Sequence, residues 1–401
     1  MVTKLVILVL YIFVILAIGI YSTKKASSYE GYNLAGRGNN KWIGGISTQS
    51  ASTSGWMLLA MPGLAYTFGF SAVWMLVGWL GGSLINWVLL GKRLRVATEA
   101  YDAVSCVEYF EKRTGDKRGI VGIFSALAIM FLMIINSTSE FIGFGKLINA
   151  VFGIDYTIGV TIGLVVVAIY TFLGGYLAVS WTNLLQGALM FLALAIVPIV
   201  AFLSTDGMQA IAADLYAQDA DFFQFLHGSA SVGESITLIC SGAGIAFMYP
   251  GMVHSLTGIM AIKNPNNVKD SGLIAIIWGS VALTGASAIG LAFQGGAFHT
   301  VTMFASSGLG AAFGPVVIAS LFGNKINYKG AIACIICGFL TVVIWFTTGM
   351  STYLFEVFPG FAVGAAALFV VSKATGGADA EITEGYEQYR QLWQQANAKV
   401  K

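Results

Sequence analysis

The chain contains eleven apolar runs, each long enough to cross a lipid bilayer, and almost nothing else. They lie near residues 5–22, 46–68, 71–92, 121–147, 157–175, 184–204, 234–253, 271–293, 302–322, 330–347 and 353–372. A helix of about 20 apolar residues spans the hydrocarbon core. Lipid offers backbone groups no hydrogen-bond partner, so such runs fold as helices. Charged residues are only 10% of the 401, against about 25% in a soluble domain. A chain with so few charges cannot cover a water-facing surface, which excludes a soluble enzyme or a disordered chain. A net charge of +2 excludes a polycationic nucleic-acid binder. The expected fold is therefore an all-α polytopic membrane protein of about 11 transmembrane helices, with no separate soluble domain.

Charge bias sets the expected orientation. With the loop after the first span inside, 19 of the 21 Lys and Arg residues fall on the cytoplasmic side, and only Lys4 and Lys146 fall outside. The segment 205–233 carries Asp206, Asp214, Asp219 and Asp221 with no Lys or Arg, and falls outside. This split follows the positive-inside rule. It puts the N-terminus outside and the C-terminus in the cytoplasm, in the plasma (inner) membrane. The first run lacks a basic leader and a small-residue cleavage site, and reads as a retained span. Residues 1–373 form the transmembrane domain and 374–401 a polar cytoplasmic tail. Tyr386, Tyr389 and Trp393 line one face of a surface helix in that tail.

Two spans depart from plain apolar helix. One runs from Ser54-Gly55 to Pro62-Gly63, the other from Ser241-Gly242 to Tyr249-Pro250-Gly251. They are the second and seventh spans, five apart, so the chain crosses in opposite directions. That is the mark of an inverted repeat whose broken helices line a midplane site. Unwound backbone is tolerated in a membrane only against protein or a water-filled cavity. Freed carbonyls there can bind a cation, and a half-helix N-terminus a carboxylate. The third polar signal is Asn136-Ser-Thr-Ser-Glu140 within the fourth span. A membrane-embedded carboxylate is costly and marks Glu140 as a candidate cation or solute contact. Cys334 and Cys337 sit in an apolar span and read as packing. The three histidines are scattered, no metal cluster or catalytic motif is present, and no phosphate-binding loop supports ATP-driven transport.

These stretches resemble the sodium:solute symporter family. The matching blocks are Tyr32-Asn-Leu-Ala-Gly-Arg37, Ser54 to Gly63, Tyr170 to Thr182, Tyr249-Pro-Gly251 with His254, Gly308 to Pro315, and Phe358-Pro-Gly-Phe361. They keep family order from about residue 7 to 372. The resemblance implies a LeuT-type inverted-repeat core with flanking helices, and alternating access driven by a sodium gradient. Carried over by position, the backbone carbonyls of Ser50 and Thr53 face Na+, the coupling ion. Ser54, Gly55, Trp56 and Tyr249 line the solute site, with an amino acid such as proline as solute. Arg37 sits on the cytoplasmic side and affects coupling. Asn183 and the hinge residues Pro62, Gly63, Pro250 and Gly251 belong to the coupling and gating set. The partners are thus a small solute and the lipid bilayer.

The departures from the family pattern are specific. Ser52 and Asn183 stand where the family has aspartates, Asn136 near its tyrosine, and Ile245 near its tryptophan. The family also carries roughly a hundred further residues, two helices, between the eighth and ninth spans, one of which completes the sodium site. Here Phe293 to Thr302 bridges that interval, so the core is incomplete and the cation set falls to Ser50, Thr53 and Glu140. The alternative reading is a non-transporting remnant, or a membrane interaction or sensor module derived from such a symporter.

Overall fold

The computed structural model describes residues 2–204, 208–293, 300–323 and 325–398. Among these the regular elements are helices, with one isolated bridge between Asn39 and Ile262. The helices are α1 (Val2–Thr23), α2 (Tyr29–Leu34), α3 (Lys41–Leu59), α4 (Met61–Phe68), α5 (Val73–Leu84), α6 (Lys92–Ala100), α7 (Cys106–Thr114), α8 (Ile120–Phe152) and α9 (Tyr156–Ser204). They continue as α10 (Met208–Gln218), α11 (Val232–Gly244), α12 (Val253–Met260), α13 (Asn267–Phe293), α14 (Thr300–Phe322), α15 (Tyr328–Thr347), α16 (Val357–Ala374) and α17 (Ala380–Ala398).

Every expected span has its helix. Among the described residues eight helical stretches are long and apolar enough to cross a membrane by length and composition. Two of them hold parts of two spans. Tyr156–Leu203 is divided at Gly175 (φ 54°, ψ −150°), and Met61–Ala100 is divided at Gly69 (φ 55°). A Cβ at Gly175 would press on the Tyr32 carbonyl, so both the backbone angle and the close approach of α2 require glycine. The shorter apolar stretch Ser306–Phe322 in α14, and α3 joined to α4, complete the set. The interval 176–183, expected as a connection, is helical, because one glycine suffices for the bend.

Helix ends follow local chemistry. Ser105 caps α7 by accepting from the Glu108 amide, and Glu108 Oε2 accepts from Val104 N at 2.9 Å. Ser231 and Glu234 repeat this reciprocal cap on α11, with Ala230 N donating to Glu234 at 2.6 Å. The acidic segment is strapped over the end of α4 and the start of α5. Phe70 N donates to the Phe222 carbonyl at 2.9 Å, and Trp74 Nε1 to the Phe225 carbonyl at 2.9 Å. His227 bridges the Phe68 carbonyl and Asp219 at 3.1 and 2.7 Å.

Among the described residues two large buried clusters hold the bundle, beside a small one of Ile15, Tyr170 and Ala178 between α1 and α9. One joins Trp87, Tyr109, Phe110, Leu256, Phe313 and Tyr389 near α6, α7 and α17, with Phe110 stacked on Phe313 at 5.7 Å. The other joins Met57, Trp79, Ile245, Met248, Tyr249 and Trp278 around the middle of the α11–α12 span. The aromatic face of α17 is covered by the chain itself. Arg113 stacks over Tyr386 at 4.9 Å, Arg93 over Trp393 at 4.6 Å, and Lys92 donates to Asn397 at 2.8 Å.

Candidate functional site

The α11–α12 span is open in its middle. After Gly244 the chain passes through two 3₁₀ turns, Ile245–Phe247 and Tyr249–Gly251, and the extended Met252 (φ −72°, ψ 92°) before α12 begins. Pro250 has no amide to donate, and a Cβ on Gly251 would overlap the Leu309 carbonyl of α14. The opened backbone is met by side chains from a neighbouring turn. Asn86 Nδ2 donates to the Tyr249 carbonyl at 2.9 Å and reaches Ser255 Oγ at 3.3 Å. Asn86 lies in a π-helical turn, Ile85–Gly91, between α5 and α6. Such wide turns are rare and recur at functional sites.

Around that contact is a buried polar cluster. Ser83 Oγ donates to Gln49 Oε1 at 3.3 Å. Gln49 is the polar side chain facing the Tyr249 hydroxyl, without closing a hydrogen bond to it. Among the described residues the Tyr249 hydroxyl, Gln49 Nε2 and Asn86 Oδ1 are buried and find no hydrogen-bond partner. The Tyr249 ring fills the space over Gly82, where any Cβ would collide with it, and meets Trp79 edge-on at 5.7 Å. Buried polar atoms are normally paired, so two unpaired donors and an acceptor in one place are an affinity for a small polar guest. Gln49, Ser83 and Asn86 were not singled out from the sequence. The available signal was polarity at 47–53 and one Asn in the otherwise apolar third span.

The α3–α4 span behaves differently. The Ser54-Gly55 to Pro62-Gly63 motif was expected to unwind, yet α3 is helical through Leu59, with a single turn residue, Ala60, before α4. Pro62 falls in the first turn of α4, where its missing amide costs no helical bond. Pro62 and Gly63 are buried there, and a Cβ on Gly290 of α13 would overlap the Pro62 carbonyl. Hydroxyls upstream turn back onto the helix: Ser52 Oγ to Thr48 O at 2.9 Å, and Thr53 Oγ1 to Gln49 O and Ser50 O at 3.0 and 3.1 Å. The backbone carbonyls of Ser50 and Thr53, expected as sodium ligands, thus lie inside a continuous helix. In this conformation they do not fit a cation, and the expected half-site is not formed. Of Ser54, Gly55 and Trp56 only the helical backbone is described; their side-chain positions lie outside the described residues.

Two expected residues do meet. Ser50 Oγ donates to the Asn183 carbonyl at 2.9 Å, tying α3 to α9. Asn136 and Glu140 lie half-buried on α8. The hydroxyls between and beside them serve their own helix, Thr138 to Ile134 O at 2.8 Å and Ser139 to Asn136 O at 2.7 Å. Arg37 stands in a left-handed turn (φ 48°) and clasps the far end of the open span. It donates to the carbonyls of Thr98, Ala103 and Met260 at 3.2, 2.8 and 3.2 Å, and pairs with Glu30 at 3.1 Å. Arg95 Nε adds a bond to the Ile262 carbonyl at 2.6 Å, and Asn39 N one to Ala261 O at 3.1 Å. The chain end of α12 is thereby held by two guanidinium groups and one backbone strand segment.

An all-helical bundle of apolar spans, with a matched pair of motif-bearing spans and a polar cluster at the open one, defines the class as polytopic membrane protein. The sequence profile of the Sodium:solute symporter family matches residues 32–299, and the chain belongs to that family. It is 28% identical to the high-affinity proline transporter PutP of Bacillus subtilis, covering 95% of this chain and 100% of the relative. It is 30% identical to the osmoregulated proline transporter OpuE of the same organism, over 91% and 94% of the two chains. Identity to a sodium/proline symporter of Staphylococcus aureus is 34%, over 71% of this chain and 55% of that one. A solved Na+-coupled sialic acid symporter in a substrate-bound outward-open state shares the fold, with TM-score 0.60, 15% identity and coverage of 92% and 97%. That likeness bears out the LeuT-type arrangement.

The PutP alignment also shows that this chain is the shorter of the two. It runs over 478 positions, of which 95% of a 401-residue chain fills about 380, so about a hundred hold the relative's residues alone. The family match ends at 299, within the six residues that separate Phe293 from Thr300.

Proposed function

We propose that this chain is a sodium-coupled symporter of a small solute, an amino acid such as proline, working by alternating access in the plasma membrane. The observation that carries this reading is the open stretch 245–252 with its unpaired polar cluster, in a chain of the symporter family. The names of the relatives point to proline. In this reading residues 1–373 are the transporter body, 374–401 the cytoplasmic tail, and the N-terminus is outside. The solute is bounded by Ser54, Gly55, Trp56, Asn136 and Tyr249, and Glu140 supplies negative charge for the cation. Arg37, Asn183, Pro62, Gly63, Pro250 and Gly251 are the points where gates move. The test is uptake of labelled proline into proteoliposomes, with and without an inward sodium gradient. Sodium-driven accumulation supports the reading, and loss of cation dependence in Glu140→Gln supports the assigned role of Glu140. No accumulation by folded protein removes proline as the solute.

A second reading is favoured by one observation, the hundred relative-only positions beside a first span closed around Ser50 and Thr53. It is a non-transporting membrane module derived from a symporter. Inserting the corresponding relative segment after Phe293 decides between the two: transport gained only on insertion supports the module.

A further inference from the structure

Glu356 is a buried carboxylate that the site described above does not use. It is 3% exposed, in the turn before α16, under the loop that joins α15 to α16. Its one hydrogen-bond partner among the described residues is Ser307 of α14, whose Oγ lies 3.1 Å from Oε1. Ser307 is itself fully buried, and Ser306 beside it is buried as well. Glu356 makes no side-chain capping bond to α16. Among the described residues no ion pair reaches Glu356, and of the helices around it α8, packed on α14 and α15, carries Glu140 and Lys146. α14 has no charged residue, α16 has only Lys373 at its other end, and α15 only Lys329 in its first turn. α11 contributes Glu234, exposed and bonded to the Ala230 amide.

An ionised carboxylate taken out of water is costly unless it is paired or binds a cation. One neutral hydroxyl and the partial positive charge of a helix start offset only part of that cost. A small hard cation with oxygen ligands completes the balance. We propose that Glu356 and Ser307, with Ser306 alongside, form a monovalent-cation site that takes sodium. The expected sodium ligands on α3 are locked in helix, so this is the buried anionic oxygen site that the fold does present.

The site is mechanically joined to the open span. Val357 belongs to the buried cluster of Ile245, Met248, Tyr249 and Met252. The Phe358 ring lies 5.2 Å from Phe247, and Gly244 leaves room for Phe355 and Phe358. An ion drawn to Glu356 therefore bears on the residues that shape stretch 245–252. The choice of sodium rests on the symport reading; the site itself does not.

The experiment is thermal unfolding of the purified full chain in nanodiscs, in sodium, lithium, potassium or choline chloride at constant ionic strength. A ligand that binds only the folded state raises its melting temperature. Sodium is expected to raise the wild-type Tm over choline, and Glu356→Gln to lose that shift. Ser307→Ala, which removes one hydroxyl, is expected to fold and to need about tenfold more sodium for the same shift, or about 1.4 kcal/mol. It decides the matter if Glu356→Gln does not fold. A full sodium shift in both variants, a wild-type shift that follows pH alone, or no wild-type sodium shift overturns the site. Sodium-driven uptake that persists in Glu356→Gln overturns it and leaves symport standing. A sodium shift lost in Glu356→Gln, without uptake of any solute by wild type, leaves the site standing and overturns symport.

Discussion

The α3–α4 span and the α11–α12 span carry the same motif, Ser-Gly followed by Pro-Gly, and fold differently. In the first the helix runs on to Leu59 and restarts after one residue. In the second it is open over eight residues, 245–252. The difference lies in what surrounds the proline. Pro62 stands in the first turn of a helix, where no bond is lost. Pro250 stands in a 3₁₀ turn whose Tyr249 carbonyl accepts from both the Met252 amide and Asn86, and Gly251 lets α14 approach at Leu309. In the first span the Ser52 and Thr53 hydroxyls bond to their own helix and Ser50 reaches α9, whereas the second depends on partners from α5, the π turn and α14. A Ser-Gly to Pro-Gly pattern therefore permits an opening, and the neighbours decide whether one forms.

The sharpest break of this comparison is Gly251→Ala. Its Cβ would overlap the backbone of α14, and a loss of about 3 kcal/mol is expected, read as a lower Tm of the purified protein. A neutral effect would mean that α14 does not pack on the open stretch. Asn86→Leu is expected to cost about 2 kcal/mol, because two buried side-chain hydrogen bonds are lost, to the Tyr249 carbonyl and to Ser255 Oγ, and the carbonyl keeps only the Met252 amide. Next comes Arg37→Lys, at about 1.5 kcal/mol. A single ammonium cannot span carbonyls on three segments, so Tm should fall and proteolysis between α12 and α13 should speed up. In the first span Thr53→Val should stay within about 0.5 kcal/mol, since its hydroxyl bonds only to its own helix. A larger loss there would show that α3 opens as α11–α12 does.

The smallest effect belongs to the outer strap. The hydrogen bond from His227 holds the Asp219 carboxyl below its usual range. A depressed carboxylate contributes stability above its unfolded pKa, about 3.9, and loses it as pH falls through the folded value. Wild type should therefore lose Tm more steeply than Asp219→Asn below about pH 4. Parallel curves would remove the pair from the strap's stability.

Much of the fold was legible in the residues. Every apolar run became a helix, and Gly175, Ser105, Ser231 and Asn327 mark bends and caps by local chemistry. The open second span was legible too, from Pro250 and Gly251. The polar cluster was not, because Gln49, Ser83 and Asn86 come from two different spans and no local pattern links them. The tail face of Tyr386, Tyr389 and Trp393 was visible as a face, and its cover was not. Only the fold brings Arg93 and Arg113 over those rings.

The sequence by itself determined that the chain lives in a bilayer, which runs become apolar helices, and where two of them can break. Those properties follow from the apolar density of each run and from backbone chemistry at Gly and Pro, which act locally. The tertiary structure decided which break opened, which buried polar atoms find no partner among the described residues, and that Glu356 sits beside Ser307. These depend on side chains far apart in the chain meeting in a medium where an unpaired polar group is costly.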